Sequence, residues 1–140
     1  MKHNRIKGFI DKHDVLYHLQ YGFREKHSTQ HAILDIVNQI QTNMECKLFT
    51  CGIFINIQKA FDTVNHTILL RLLHHYGIGG TVNDWFSLYL IGPTKTTQIA
   101  DSISNKEITI IGVPQGSVLG PLLFILYIND IYNSSDKLLI

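Results

Sequence analysis

The sequence predicts one α+β domain in which helices pack on a small antiparallel sheet. Apolar side chains recur at helical spacing in several segments that end at glycine, whereas two other segments are rich in apolar and β-branched residues. The resulting order of elements is α, β, α, α, β, β, α, without an internal repeat. A length of 140 residues suits a single domain with a buried core.

One helix is predicted in the first third of the chain, after a segment with a partial helical pattern. A partial helical pattern covers residues 6–19, and residues 20–27 form a loop around Gly22. Ser28 or Thr29 is expected to cap the next helix, since a side-chain oxygen there accepts a hydrogen bond from a free backbone N–H. Behind this cap, apolar residues follow at i, i+4 and i+7 spacing, which indicates an amphipathic helix.

The middle of the chain predicts a strand followed by two helices. Residues 48–57 are short, apolar and β-branched, so we expect a strand that is buried on at least one face. A helix from about His66 to Tyr76 should stop at Gly77. A shorter aromatic helix over 82–90 should end at the Gly-Pro pair that follows it.

The last third predicts a hairpin, a loop and a final helix. Residues 96–111 look like two strands joined by a polar connection. Residues 112–117 form a loop bracketed by glycine and proline. Ser117 can cap a last helix over 118–132, with Pro121 in its first turn, where the missing N–H costs least.

Composition excludes several classes of protein. A hydrophobic fraction of 45% with 16% charged residues, against about 25% in average proteins, excludes a disordered chain. The formal net charge of +1 excludes a strongly basic nucleic-acid footprint over the whole chain. Cys46 and Cys51 are too few for a disulfide framework, which favours reduced thiols inside the cell. The most apolar run, 118–128, is too short to span a bilayer, which needs about 20 residues, and the basic start lacks the apolar stretch of a signal peptide.

Two other kinds of site are weakly supported. His27 and His31 are four residues apart and precede the two cysteines, but zinc sites usually show closer cysteine and histidine pairs. Ser117 lacks the histidine and carboxylate pattern of a catalytic triad, so its capping role is preferred.

Two segments carry the most specific pattern. They are 54–64, with Ala60-Phe61-Asp62, and 112–124, with Gly112-Val113-Pro114-Gln115-Gly116. Both resemble motifs A and B of the reverse transcriptases of non-LTR (LINE-type) retrotransposons. Further blocks in the same order resemble this family along nearly the whole chain: 20–24, 27–29, 75–78, 85–90 and 127–130.

The resemblance implies the partial fingers and palm of a right-hand polymerase. The fingers segment would cover about 1–46 and the palm segment about 47–140, with motif C and the thumb outside the chain. The family activity is RNA-directed DNA polymerisation by two-metal nucleotidyl transfer, with Mg²⁺ as the cofactor. The implied partners are an RNA or DNA template–primer and a deoxynucleoside triphosphate, and the implied location is the nucleus or the cytoplasm.

The resemblance also assigns candidate site residues. Asn56 occupies the position of the metal-binding aspartate of motif A. Phe61 matches the aromatic gate that packs under the incoming sugar. Gln115 and Gly116 match the motif B loop that touches the template–nucleotide pair, and two basic fingers residues, Arg24 and Lys26, are expected to meet phosphate.

The departures from the family predict an inactive chain. An amide oxygen at Asn56 is neutral and binds Mg²⁺ more weakly than a carboxylate does, and motif C would supply two further aspartates. Asp62 is not expected to replace the lost ligand, since its expected role is to cap the following helix. The alternative function is a non-enzymatic remnant that binds nucleic acid or protein.

Overall fold

The protein was studied as a computed structural model, which describes residues 2–91, 94–95, 98–99, 102–103, 107–108, 110–114 and 116–134. This part of the chain is mostly helical. Its α-helices are α1 (Lys2–Lys12), α2 (Thr29–Glu45), α3 (His66–His75), α4 (Gly80–Ile91) and α5 (Gly120–Ile128). Two 3₁₀ helices cover Ala60–Thr63 and Asn129–Ser134.

Local capping signals explain where the helices begin and end. Ser28 precedes α2 and its side chain accepts a hydrogen bond from the backbone N–H of His31, as predicted. Asn65, rather than Asp62, caps α3 by accepting from the N–H of Ile68 at 3.1 Å. The capping role predicted for Asp62 is therefore wrong, because a 3₁₀ turn places this residue three positions before the cap.

In and beside the region predicted as a hairpin, 96–111, the structure has four two-residue strands in place of the two expected, and Ser102–Ile103 lies within the predicted polar connection. β1 (Thr94–Lys95) pairs antiparallel with β4 (Glu107–Ile108), and β2 (Gln98–Ile99) pairs antiparallel with β3 (Ser102–Ile103). Helices in the described part of the chain pack mainly on one another rather than on these strands. The predicted α+β class is thus confirmed only in its helical part.

The strand predicted over 48–57 is wrong. These residues form no strand, and their side chains face solvent, with Phe54 91% exposed and Ile53 73% exposed. A strand needs a neighbour to satisfy its backbone N–H and C=O groups. Within the described ranges no segment pairs with residues 48–57, so the apolar composition alone does not produce a strand.

The core lies where α3, α4 and α5 pack together with α1. α5 is apolar on all sides, as expected for a helix that is covered all round. It spans Gly120–Ile128 and continues as a 3₁₀ helix to Ser134, so the helix predicted over 118–132 is present but begins two residues later, and its last part is a 3₁₀ helix. Side chains that are almost completely buried include Ile10, Val64, Leu69, Leu73, Phe86, Leu123, Ile125 and Leu126.

α2 lies outside this core. The amphipathic helix predicted behind Ser28 is confirmed, yet none of its residues is buried. Its apolar side chains, including Ile33, Ile36 and Met44, are exposed to solvent. No helix in the described part of the chain is both long enough and apolar enough to cross a bilayer.

Candidate nucleic-acid and nucleotide site

The structure brings the end of the first motif-like segment against the start of the second. The backbone N–H of Gly112 donates to the carbonyl of Val64 at 2.7 Å, and that of Val113 donates to the carbonyl of Phe61 at 2.8 Å. Asn65 and Ile111 add an antiparallel bridge. These main-chain bonds hold the two segments side by side, although about 50 residues separate them in sequence.

Gly112 is required at this junction by close approach and by its backbone conformation. Its φ is +88°, and a Cβ atom there would lie 3.2 Å from both the Cα and the carbonyl oxygen of Asp62. Such contacts are shorter than the usual van der Waals separation. A side chain would therefore push the two segments apart.

A side-chain hydrogen bond from His66, the first residue of α3, adds to the same junction. Its side chain is only 3% exposed, and Nε2 lies 2.6 Å from the carbonyl oxygen of Gly112. Because a carbonyl only accepts, Nε2 carries the hydrogen and donates it. Nδ1 is buried, with no hydrogen-bond partner in the described part of the chain. Sequence reasoning did not find this hydrogen bond of His66, because it joins residues that are 46 positions apart in the chain.

The loop after the junction is closed by Ser117. Its hydroxyl donates to the carbonyl of Pro114 at 2.7 Å and accepts from the N–H of Gly120 at 2.9 Å. Ser117 therefore satisfies the N–H of the first residue of α5, but the N-cap position predicted for Ser117 is occupied by Leu119, so that prediction is wrong in its position. Gly116 lies exposed in this loop with a φ of +76°, whereas Gln115 lies outside the described residues.

Phe61 connects three parts of the candidate site. Its ring is half-buried and lies 5.9 Å, edge-on, from the ring of Phe23 in the loop before α2. On the other side it lies 4.8 Å from the ring of Phe124 in α5. Phe61 therefore stands beside the 112–117 loop and the 20–27 loop, while its role as a gate stays a prediction.

Asn56 is not drawn into this arrangement. It lies on the exposed, unpaired segment over 48–57. Mg²⁺ prefers anionic oxygen ligands held in near-octahedral geometry, and Asn56 offers a neutral amide oxygen. The described ranges contain no group of three or more His, Cys, Asp or Glu side chains placed to hold a metal ion. The donor set around Asn56 therefore does not fit the Mg²⁺ that the family uses.

The two predicted phosphate-binding residues have different surroundings. Arg24 is half-buried and donates from Nη1 to the carbonyl of Tyr17 at 3.2 Å, with Nη2 3.9 Å from a carboxylate oxygen of Asp14. Its guanidinium is thus partly engaged within the protein. Lys26 is exposed, with a φ of +62°, at the end of the same loop.

Lys26 lines a cleft between the 18–27 loop and α2. The cleft has a volume of about 470 Å³ and also contains His18, His27 and His31. Across the cleft the hydroxyl of Tyr21 in the loop donates to the carboxylate of Asp35 in α2, and this hydrogen bond raises the pKa of Tyr21. Besides this carboxylate the cleft contains a cation, imidazole rings and an aromatic ring, which are groups that contact phosphates and bases.

Comparison with known proteins identifies the class. The family model described as reverse transcriptase (RNA-dependent DNA polymerase) matches residues 2–139. The chain therefore belongs to the reverse transcriptase family. No solved structure shows a significant match.

The relatives are polymerases of mobile elements. The chain is 34% identical over 126 residues to a probable RNA-directed DNA polymerase from transposon X-element of Drosophila melanogaster, covering 90% of this chain and 14% of the relative. It is 33% identical over 137 residues to the RNA-directed DNA polymerase from mobile element jockey of the same fly, covering 91% of this chain and 14% of the relative. A Pol polyprotein from the type-1 retrotransposable element R2 of Popillia japonica is 30% identical over 121 residues, covering 86% of this chain and 16% of the relative.

These matches confirm the family that the sequence resembles, the reverse transcriptases of non-LTR retrotransposons. The chain spans about 14% of the length of the first relatives that it matches, so it corresponds to a fragment of the full enzyme.

Proposed function

We propose that the chain binds template–primer nucleic acid as a partial fingers and palm of a right-hand polymerase, and that it does not by itself catalyse nucleotidyl transfer. The fingers part is about 1–46 and the palm part about 47–140. Support comes from the family match and from the junction that joins the loop at 112–117 to Phe61. Intact polymerases of this kind use Mg²⁺, a template–primer and a deoxynucleoside triphosphate.

Asn56 carries the proposal of inactivity. Two-metal transfer depends on carboxylates that hold both ions and offset the charge that develops in the transition state. An amide in place of a bridging carboxylate should cost several kcal/mol of transition-state stabilisation, on the order of 10³-fold in rate. Residue 56 also lies on an exposed segment with no strand partner in the described ranges, so its side chain is not held in a fixed place.

The cleft beside Lys26 carries the proposal of nucleic-acid binding. An exposed ammonium group contacts phosphate without reading base identity, and the nearby aromatic and imidazole rings offer surfaces on which bases stack. Phe61, Gln115 and Gly116 are proposed to face the nucleotide end of the same bound strand.

Primer extension tests the catalytic half. The purified chain, with Mg²⁺, a primed RNA template and the four deoxynucleoside triphosphates, should give no extension above the protein-free background. Asn56→Asp alone should not change this, because one carboxylate on an exposed, unpaired segment does not make a pre-organised two-metal site. Extension that requires the protein, by either form, would overturn the proposal of inactivity.

A matched pair of lysines tests the binding half. Lys26 and Lys47 are both exposed and both have a positive φ, near +60°, but only Lys26 lines the cleft. Lys26→Gln should weaken binding to a labelled RNA–DNA duplex and lower the slope of log K against log salt by about 0.7–0.9, as expected for one lost phosphate contact. Lys47→Gln should leave both quantities unchanged. Equal effects of the two variants would contradict binding at the cleft.

A further inference from the structure

Asn129, at the junction of α5 and the following 3₁₀ helix, is buried although it is polar, with only 6% of its surface exposed. Its Oδ1 accepts from the backbone N–H of Tyr17 at 2.8 Å, and its Nδ2 donates to the carbonyl of Val15 at 2.8 Å. The orientation of the amide is therefore determined, since a backbone N–H only donates and a carbonyl only accepts. One side chain thus satisfies a donor and an acceptor of a segment more than 110 residues earlier in the sequence.

The segment that Asn129 holds, residues 15–17, continues directly into the 18–27 loop that lines the cleft with Lys26. The ring of Tyr17 stacks on that of Tyr132, with centroids 4.0 Å apart and planes 7° from parallel. The carbonyl of Tyr17 accepts from Nη1 of Arg24. A chain of direct contacts therefore runs from Asn129 through Tyr17 to Arg24, two residues before Lys26.

A second set of contacts fixes Asn129 itself. Nδ2 lies 3.4 Å from the hydroxyl of Tyr76, and that hydroxyl donates to the carboxylate of Asp130 at 2.9 Å. Tyr76 follows α3, so the amide plane is held between the core helices and the N-terminal segment. A side chain held at both ends transmits its position to its partners, as a merely space-filling side chain does not.

We propose that Asn129 is a positioning residue for residues 13–27, the loop that connects α1 to α2 and includes the 18–27 loop. Its two bonds to residues 15 and 17 place Lys26 at the cleft. This inference rests on the proposed nucleic-acid binding for its functional consequence. The bonds themselves are independent of any ligand, so the positioning can be measured on the free protein.

Hydrogen–deuterium exchange of the full chain, without nucleic acid, measures the positioning directly. In Asn129→Ala the Tyr17 amide loses its acceptor, so its exchange should become at least tenfold faster. Asn83→Ala is the matched control, because Nδ2 of Asn83 donates to the carbonyl of Leu70 at 3.2 Å, between α3 and α4 and away from the loop. This control should leave exchange at Tyr17 unchanged at equal global stability. Unchanged exchange at Tyr17 in Asn129→Ala would overturn the inference.

Asn129→Asp covers the case in which the alanine variant does not fold. The carboxylate still accepts from the N–H of Tyr17 but no longer donates to the carbonyl of Val15, so exchange at Tyr17 should be faster than in the unmodified chain and in Asn83→Ala. Exchange equal to that of the unmodified chain would argue against the two-bond arrangement.

Binding to the labelled RNA–DNA duplex then separates the two proposals. Asn129→Ala should raise Kd about three- to tenfold and lower the salt slope, as Lys26→Gln does, whereas Asn83→Ala should not. An unmodified chain that binds no duplex contradicts the proposed function, and the exchange data then decide the positioning alone. Binding that is unchanged in Asn129→Ala, together with faster exchange at Tyr17, would refute the link from the loop to Lys26.

Discussion

Replacing Gly112 by alanine tests the junction between the two motif-like segments. A non-glycine residue at a φ of +88° costs about 1–3 kcal/mol in backbone strain. The new Cβ would also lie 3.2 Å from two backbone atoms of Asp62, which must give by a few tenths of an ångström. That shift strains the hydrogen bonds that Gly112 and Val113 donate across the junction, each worth about 0.5–1.5 kcal/mol. We expect Gly112→Ala to lower the free energy of unfolding by about 2–4 kcal/mol.

Gly116 provides the control for this experiment. Its φ of +76° is similar, but among the described residues no atom beyond the chain neighbours lies within 4 Å of the position of a Cβ. Gly116→Ala should therefore cost only the backbone strain, about 1–3 kcal/mol, and less than Gly112→Ala does. Urea unfolding followed by circular dichroism gives both values, and an unchanged denaturant slope shows that the comparison is valid. Equal losses in the two variants would refute the close approach as the reason for Gly112.

Three further outcomes are expected from urea unfolding. Phe86→Ala should lower the free energy of unfolding by about 3–5 kcal/mol, because the side chain of Phe86 is completely buried. Leu88 lies on the same helix but is 73% exposed, so Leu88→Ala should change this free energy by less than about 0.5 kcal/mol. Comparable losses in the two variants would contradict the assignment of Phe86 to the buried face of α4 and of Leu88 to its exposed face. Asn65→Ala should cost about 1 kcal/mol through the lost cap of α3, and Ser28→Ala should cost less in global unfolding because α2 buries no residue; the reverse order would contradict this. Burial raises the pKa of Tyr76 to about 12, so the stability that depends on the un-ionised hydroxyl is fully present below pH 10 and lost as the pH rises to about 12. Tyr76→Phe should remove that loss of stability. If the free energy of unfolding changes equally with pH in the two proteins from pH 9 to 12, the role of the Tyr76 hydroxyl is contradicted.

The features that the sequence predicts well depend on neighbouring residues. Ser28 caps α2 through a bond to a residue three positions later, and Gly77 ends α3 with a φ of +87°. Both effects are set within one turn of chain, so the pattern contains all the information required.

The features that the sequence predicts poorly depend on distant partners. Residues 48–57 have the composition of a strand, but composition does not supply the neighbour that a strand must pair with. Asp62 and Asn65 are both good caps, and only the 3₁₀ turn over Ala60–Thr63 decides between them. The buried bonds of His66 and Asn129 join segments 46 and more than 110 residues apart, which no local pattern reveals.

The candidate site shows the same division. Family resemblance located Phe61 and the 112–117 loop, and the structure places them in contact through the carbonyl of Phe61. The family resemblance did not indicate that Arg24 donates a hydrogen bond to the carbonyl of Tyr17, because this contact depends on how the loop between α1 and α2 folds. The roles of Asn56, Gln115 and Gly116 stay predictions.

The bonds between Asn129 and residues 15–17 also constrain how the chain folds during synthesis. The N–H of Tyr17 and the carbonyl of Val15 lack their Asn129 partner until that residue, more than 110 positions later, has left the ribosome. At about 5–20 residues per second, that delay is roughly 6–22 seconds. Throughout this interval the residues that follow α1 lack the side-chain amide of Asn129, and α1 lacks the α5 side chains that complete the core. Nascent chains are therefore expected to depend on chaperones up to the synthesis of α5, and a ribosome-stalling series should show protease protection of residues 13–27 only after Asn129 emerges.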